Sequence, residues 1–140
     1  MAVLYGANTT PRSTTPPGQL DGSVQGGNVR VYREKITLAS QTTSDTIVVA
    51  YPSTGETFLH GVITTDTSLG SSTVAIGVTG TTGKYRAAAT FTATNTPTLF
   101  GVGAAQASKL TSDETVFITI GAASLPASGT LIVDLYFAQT

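Results

Sequence analysis

The one histidine of the chain, His60, is the first residue to consider for chemistry, and its surroundings argue against a reactive role. It lies in the segment TFLHGVITT, where alternation places Phe58, His60 and Val62 on one face of a predicted strand. The sequence has no cysteine, and durable zinc sites take three or four nitrogen, sulfur or oxygen ligands. We therefore expect His60 to be a half-buried, aromatic-like residue, and we expect no metal site.

Eight carboxylates are the other groups with catalytic potential. Most of them lie at predicted turns, where an Asp side chain accepts hydrogen bonds from nearby backbone N–H groups. Asp113 and Glu114 are adjacent, so their side chains point in opposite directions in an extended segment. A hydrolase built from carboxylates of different loops stays an alternative. The sequence favours a protein that is not an enzyme and that uses no cofactor.

A glycine-rich stretch, GVTGTTGKY, has the spacing Gly-x-x-Gly-x-x-Gly before Lys84. A phosphate-binding loop would need Gly-Lys-Ser/Thr at the start of a helix, and here Tyr85 follows within a strand pattern. The stretch therefore predicts a hairpin turn and not a nucleotide site.

The composition excludes several classes of partner. Charged residues make up 11% of the 140 residues, the net charge is −1, and no run of Lys and Arg occurs. Such a chain offers no basic patch for nucleic acid and no polybasic segment for a membrane surface. It also has no apolar run of spanning length and no secretory signal pattern. The neutral, hydroxyl-rich surface favours contact with other protein.

From Arg30 onward, apolar and polar residues alternate with a period of two, which is typical of half-buried β-strands. Val48 and the tyrosines at 32, 51, 85 and 136 are expected to pack in or beside the core. The alternation predicts about eight short strands, which lie within residues 31–39, 45–51, 57–65, 72–80, 84–91, 98–102, 115–120 and 130–137.

Turn residues separate these segments at 52–55, 80–83 and 126–129, and the last two turns are expected to close hairpins. Residues 101–114 predict at most one turn of helix. The fold class is therefore all-β: a two-sheet antiparallel β-sandwich of about eight strands. A jelly-roll-like arrangement is the first choice and an immunoglobulin-like sandwich the second.

Residues 1–28 carry Thr, Gly, Pro and Asn with no apolar period, so we predict an extended N-terminal arm followed by a β-sandwich domain over 29–140. A segment without its own core becomes ordered only against a partner, which must offset a backbone entropy cost of about 1–2 kcal/mol per residue. Addition to an exposed sheet edge would supply hydrogen bonds. The expected apolar anchors of the arm are Val3, Leu4, Tyr5, Leu20 and Val24.

Three charged residues that follow the arm are possible contacts across a subunit boundary: Arg30, Arg33 and Lys35. The alternative for each is a solvated surface charge of little energetic weight.

The opening MAVLYGANTT, the middle SLGSSTVAIGVTGTTGKYRAAATF and the ending DETVFITIGAASLPASGTLIVDLYF resemble small virion structural proteins of tailed bacteriophages. The resemblance covers nearly the whole chain and follows strands and turns rather than an active-site signature. It implies a capsid decoration (cement) protein: a homotrimer on the outer surface of the head, made in the bacterial host cytoplasm, that binds the major capsid protein.

Other functions fit the same residues. A tail or neck component of the virion and a phage-borne adhesin for host glycans are the alternatives to decoration of the head. The absence of Trp weakens the adhesin, because sugar-binding platforms commonly use aromatic rings.

Overall fold

Val, Ile, Thr, Tyr and Phe dominate the segments that form strands, as expected for side chains that pack on a pleated surface. A computed structural model describes Ala2, Gln19 and residues 27–139. All eight predicted strands and the single short helical turn are confirmed. The elements are β1 (Val29–Thr37), β2 (Thr46–Ala50), β3 (Glu56–Thr65), β4 (Thr73–Val78), β5 (Thr81–Thr90), β6 (Thr98–Phe100), α1 (Gly103–Gln106), β7 (Val116–Gly121) and β8 (Thr130–Gln139).

The strands form two four-stranded antiparallel sheets, in the orders β1-β8-β3-β6 and β2-β7-β4-β5. The first four strands pair with the last four in reverse order, as in a long hairpin: β1 with β8, β2 with β7, β3 with β6, and β4 with β5. Rolling such a hairpin gives the jelly roll, which was the first choice from the sequence. The immunoglobulin-like alternative is wrong, because its sheets group the strands differently.

Inward-facing side chains of both sheets form one core. Its aromatic centre is Phe58, Tyr85 and Phe137, whose ring centroids lie 4.7 to 5.8 Å apart in tilted and edge-on contacts. All three residues are at most 1% exposed. Because Phe58 and Phe137 belong to one sheet and Tyr85 to the other, this cluster joins the two layers.

The two ends of the continuously described segment, 27–139, lie together at one end of the sandwich. There the Gln139 N–H donates to the carbonyl of Asn28 over 3.0 Å. At the opposite end the loops bond to one another. Leu38 N–H donates to Gly129 O over 2.9 Å, and the Ser72 hydroxyl donates to Ser124 O over 2.6 Å.

A β-bulge in β3 overturns the predicted facing of that strand. Phe58 pairs with Phe137 and His60 with Tyr136, so Leu59 is an extra residue. The extra residue reverses the alternation beyond it. Phe58 therefore points into the core, whereas His60 and Val62 lie on the opposite face, contrary to the single face that the sequence predicted.

Two predicted core residues of the β2 segment are exposed. Val48 is 39% exposed and Tyr51 is 67% exposed. The reason is that β2 is an edge strand: among the described strands it pairs only with β7, so none lies along its outer side. Ala87 and Ala89 are also exposed, because β5 is the other edge and bulges away from β4.

Both predicted hairpins need correction. The β4–β5 hairpin exists, but it turns at Thr79 and Gly80, where Gly80 has φ +83, and not over 80–83. Residues 126–129 do not close a hairpin, because β7 and β8 belong to different sheets. The chain crosses between layers there, and Gly129 takes φ +122.

Gly61 allows the short strand β6 to pack. It pairs with Phe100, and a Cβ built on Gly61 would overlap the Phe100 ring.

We predict that Gly61→Ala lowers the free energy of unfolding by about 1–3 kcal/mol, because the ring must move out of a packed site. In a Phe100→Ala background the same change should cost about half as much or less. Urea denaturation of the four proteins checks this, and equal costs in both backgrounds would contradict it.

Tyr85 carries a phenol into the core, and its hydroxyl donates to Glu114 Oε2 over 2.6 Å. Burial, followed by this hydrogen bond and the charge of Glu114, raises the pKa of Tyr85. The neutral phenol therefore stabilises the fold fully below the unfolded pKa of about 10, and this contribution is lost as the pH rises beyond it.

We predict that the free energy of unfolding falls above about pH 10 and that Tyr85→Phe makes this fall shallower, while lowering stability at neutral pH. Denaturation at a series of alkaline pH values measures both effects. Tyr51→Phe, at an exposed ring, controls for the removal of a tyrosine as such. An unchanged alkaline slope in Tyr85→Phe would disprove the assignment.

Candidate interaction surface

The outward side of the sheet β1-β8-β3-β6 carries apolar side chains where a solvated sheet normally carries polar ones. We call this side the outer face. The pairing register places its residues in rows across the strands. Its central members are Val31, Arg33, Lys35, His60, Val62, Thr64, Leu99, Ile132, Asp134 and Tyr136.

Two of its apolar residues are strongly exposed: Val31 at 52% and Leu99 at 69%. Val62, Ile132 and Tyr136 are half-buried between them. These five apolar residues surround a central ion pair, and a mixture of apolar and charged groups on one face is typical of protein interaction sites. The outer face is therefore a candidate interface.

His60 is part of this face. Its ring stacks on Tyr136, with centroids 4.6 Å apart and planes 17° apart. The half-buried, aromatic-like role predicted for His60 is confirmed, although on the outer face. No group of three or more His, Asp or Glu residues arranged for a metal ion occurs in the described part of the chain.

An ion pair lies in the middle of the outer face. Arg33 Nε and Nη2 donate to the two carboxylate oxygens of Asp134 over 2.7 and 2.8 Å. The Asp134 side chain is only 7% exposed, against 66% for Arg33. The hydrogen bonds to Asp134, and then its charge, raise the pKa of Arg33. This pairing lets a carboxylate sit among apolar neighbours.

A groove of about 330 Å³ separates the free edges of β1 and β2. We call it the edge groove. Val31 and Tyr32 line one side, and Val48 and Tyr51 the other. Four of the five exposed large apolar residues within 27–139 lie on these two edges, at Val29, Val31, Val48 and Tyr51.

A buried carboxylate lies close to the groove. Glu56 is 1% exposed and accepts the Tyr32 hydroxyl at 2.7 Å, the Ser53 N–H at 2.8 Å and Arg30 Nη1 at 3.4 Å. Desolvation, together with Glu56, raises the pKa of Tyr32. These bonds hold the start of β1 against the turn before β3.

The charged residues singled out from the sequence divide into two kinds. Arg30 and Arg33 form ion pairs with Glu56 and Asp134 of the same chain, and both keep more than half of their side chains exposed. Lys35 forms no ion pair with the residues that the structure describes. Contact of these three residues with a partner stays a prediction.

The predicted anchors of the arm lie outside the described residues: Val3, Leu4, Tyr5, Leu20 and Val24. The division into an arm over 1–28 and a domain over 29–140 likewise stays a prediction. Among the described residues, no helix has the length and apolarity needed to cross a bilayer.

The outer face was not predicted from the sequence, although one signal for it was present. The segment TLIVDLYF of β8 is apolar on both faces, with Ile132 and Tyr136 opposite Leu131, Val133 and Leu135. Near-continuous apolar strands are typical of sheets covered on both sides. Val31 and Leu99 gave no such signal, because their exposure depends on which strands pair.

The same fold occurs in chains of phage capsids. A chain of the cyanophage Pam1 capsid asymmetric unit has a TM-score of 0.68 and 19% identity, and the match covers 81% of this chain and 86% of that one. A chain from the capsid of Ralstonia phage GP4 has a TM-score of 0.62 and 18% identity, with the same two coverages of 81% and 86%.

A third match is a chain of the acidic stable capsid structure of Helicobacter pylori bacteriophage KHP30. Its TM-score is 0.56 at 9% identity, and the match covers 79% of this chain and 86% of that one. All three capsid chains share the fold of the protein described above. No family model matches the sequence, and no curated protein matches it either.

The ion pair of the outer face yields an asymmetric prediction. Arg33→Met should lower the urea midpoint more than Asp134→Leu does, because it leaves a buried carboxylate without its partner, whereas an unpaired Arg33 stays hydrated. The double variant should return close to the wild-type midpoint. A larger decrease of the urea midpoint in Asp134→Leu than in Arg33→Met would contradict this, because it would show that the unpaired buried carboxylate is not the main source of destabilisation.

Proposed function

We propose that this chain is a structural protein of a bacteriophage virion. The observation that carries the proposal is the jelly roll shared with chains from three phage capsids over about four fifths of the sequence. The apolar outer face supports it independently, because a part that works by being seated on other subunits needs such a surface.

Within the virion, we propose that it decorates the outer surface of the head. In this role it binds the major capsid protein, acts as a homotrimer and stabilises the shell through the outer face and an N-terminal arm over residues 1–28. It would be made in the host cytoplasm before it joins the head. The scarcity of charge supports this role, because docking on a neutral protein surface needs apolar contact more than electrostatic steering.

The proposed role involves no catalysis. The three buried or nearly buried carboxylates support this view, because each faces a cation of its own chain and not another carboxylate. Arg30 pairs with Glu56, Arg33 with Asp134, and Lys84 with Glu114. Ion pairs of this kind are common among carboxylates with a purely structural role, which supports a function without catalysis.

The test is binding to heads assembled, without this chain, from the major capsid protein of the same phage. Wild-type protein should co-sediment with these heads and raise their temperature of disruption. Leu99→Asp should keep the fold, because the side chain is 69% exposed, and should weaken binding by about tenfold or more, because a charge would be buried in the contact.

Ala88→Asp, at an exposed position of β5 in the other sheet, is the matched control and should bind like wild type. Electron microscopy of complete particles then locates the protein. Density on the tail or neck, or binding to host glycans in place of heads, would overturn decoration of the head. Unaltered binding of Leu99→Asp would exclude the outer face as the contact.

A further inference from the structure

The edge groove presents unpaired main chain as well as apolar side chains. β1 is hydrogen-bonded to β8 alone and β2 to β7 alone, among the strands that the structure describes. In an antiparallel pair, alternate residues direct their N–H and C=O groups away from the partner strand. The two facing edges therefore offer donors and acceptors along a groove that is about 330 Å³ in volume.

Natural sheet edges usually avoid such pairing by carrying charges. β1 follows this rule with Arg30, Arg33, Glu34 and Lys35, whereas β2, with the sequence TIVVA, carries no charge at all. Val48 and Tyr51 add exposed apolar surface beside that uncharged edge. An edge without this protection fits an added peptide strand, which takes its affinity from main-chain hydrogen bonds and its specificity from alternate side chains.

We propose that the edge groove binds residues 3–5 of a second copy of this chain. The proposal deepens the proposed function, on which it rests for bringing several copies together on one particle. Val3, Leu4 and Tyr5 are the only run of three large apolar residues within 1–28. Their side chains would cover Val31, Val48 and Tyr51, which stay exposed among the residues that the structure describes.

The length of the arm favours a second copy over the same chain. The continuous part of the chain that the structure describes starts at Gly27, two residues before β1. From Tyr5 to Gly27 an extended chain spans roughly 75 Å, about twice the length of a ten-residue strand. Pro11, Pro16 and Pro17 lie within this stretch, and a residue that precedes proline favours extended conformations. The sequence therefore favours an arm that extends to the edge groove of a second copy over one that folds back onto the groove of its own chain.

Cross-linking between copies tests the proposal, because the chain has no cysteine of its own. A full-length Tyr5→Cys chain is mixed with a full-length Val48→Cys chain that carries a size tag, and a short bismaleimide joins thiols that lie close together. The experiment runs in solution at rising protein concentration and again on heads. We expect roughly tenfold more mixed product than with an Ala88→Cys chain, because binding raises the local concentration of the two thiols.

Leu4→Asp in the Tyr5→Cys chain should reduce the product to the Ala88→Cys level, and a Val31→Cys chain should replace Val48→Cys with similar yield. Equal yields for Val48→Cys and Ala88→Cys, both free and on heads, would overturn the proposal. So would a cross-link that forms within a Tyr5→Cys/Val48→Cys double variant at high dilution but never between chains. Binding of wild-type protein to heads is measured separately, so failure of the proposed function is distinguishable from failure of the arm contact.

Discussion

The strand β8 imposes the constraint on which the rest of the molecule depends. It is hydrogen-bonded to β1 on one side and to β3 on the other, and it carries apolar residues on both faces. Its inner residues Leu131, Val133, Leu135 and Phe137 are fully buried. The second sheet covers only that inner side, so one sequence pattern creates both the core and an uncovered apolar surface. Among the residues that the structure describes, no second layer covers this outward side of β8.

Polar groups are managed in a consistent way around this apolar frame. Glu56 and Asp134 are buried and Glu114 is half-buried, and each has a cation of the same chain beside it. Breaking such a pair costs more than replacing both partners, because the remaining buried charge loses its compensation. Carboxylates at the turns connect loops instead. Asp113 accepts the Thr54 N–H over 2.8 Å, and this bond ties two loops that are distant in sequence.

Sequence reasoning could predict the elements but not how they meet. Alternation located all eight strands, because apolar period-two patterns reflect a local requirement of the pleat. Alternation assigned the wrong face to His60 and Val62 of β3. Both faces of that strand carry apolar residues, and the bulge at Leu59 that determines which residues point inward arises only from pairing with β8. The ion pair of Arg33 with Asp134 joins residues 101 positions apart and so has no local signature. The outer face depends on strand order, which no single segment encodes.

The joining of Asn28 and Gln139 at one end of the sandwich has a practical consequence for attaching cargo to this protein. A peptide or enzyme fused behind residue 139 would crowd the same corner from which the leading residues depart. The loops at the far end, where Leu38 bonds to Gly129 and Ser72 to Ser124, are separated from that corner by the full length of the strands. An insertion into the crossing between β7 and β8 would display its cargo at the end of the sandwich opposite Asn28 and Gln139.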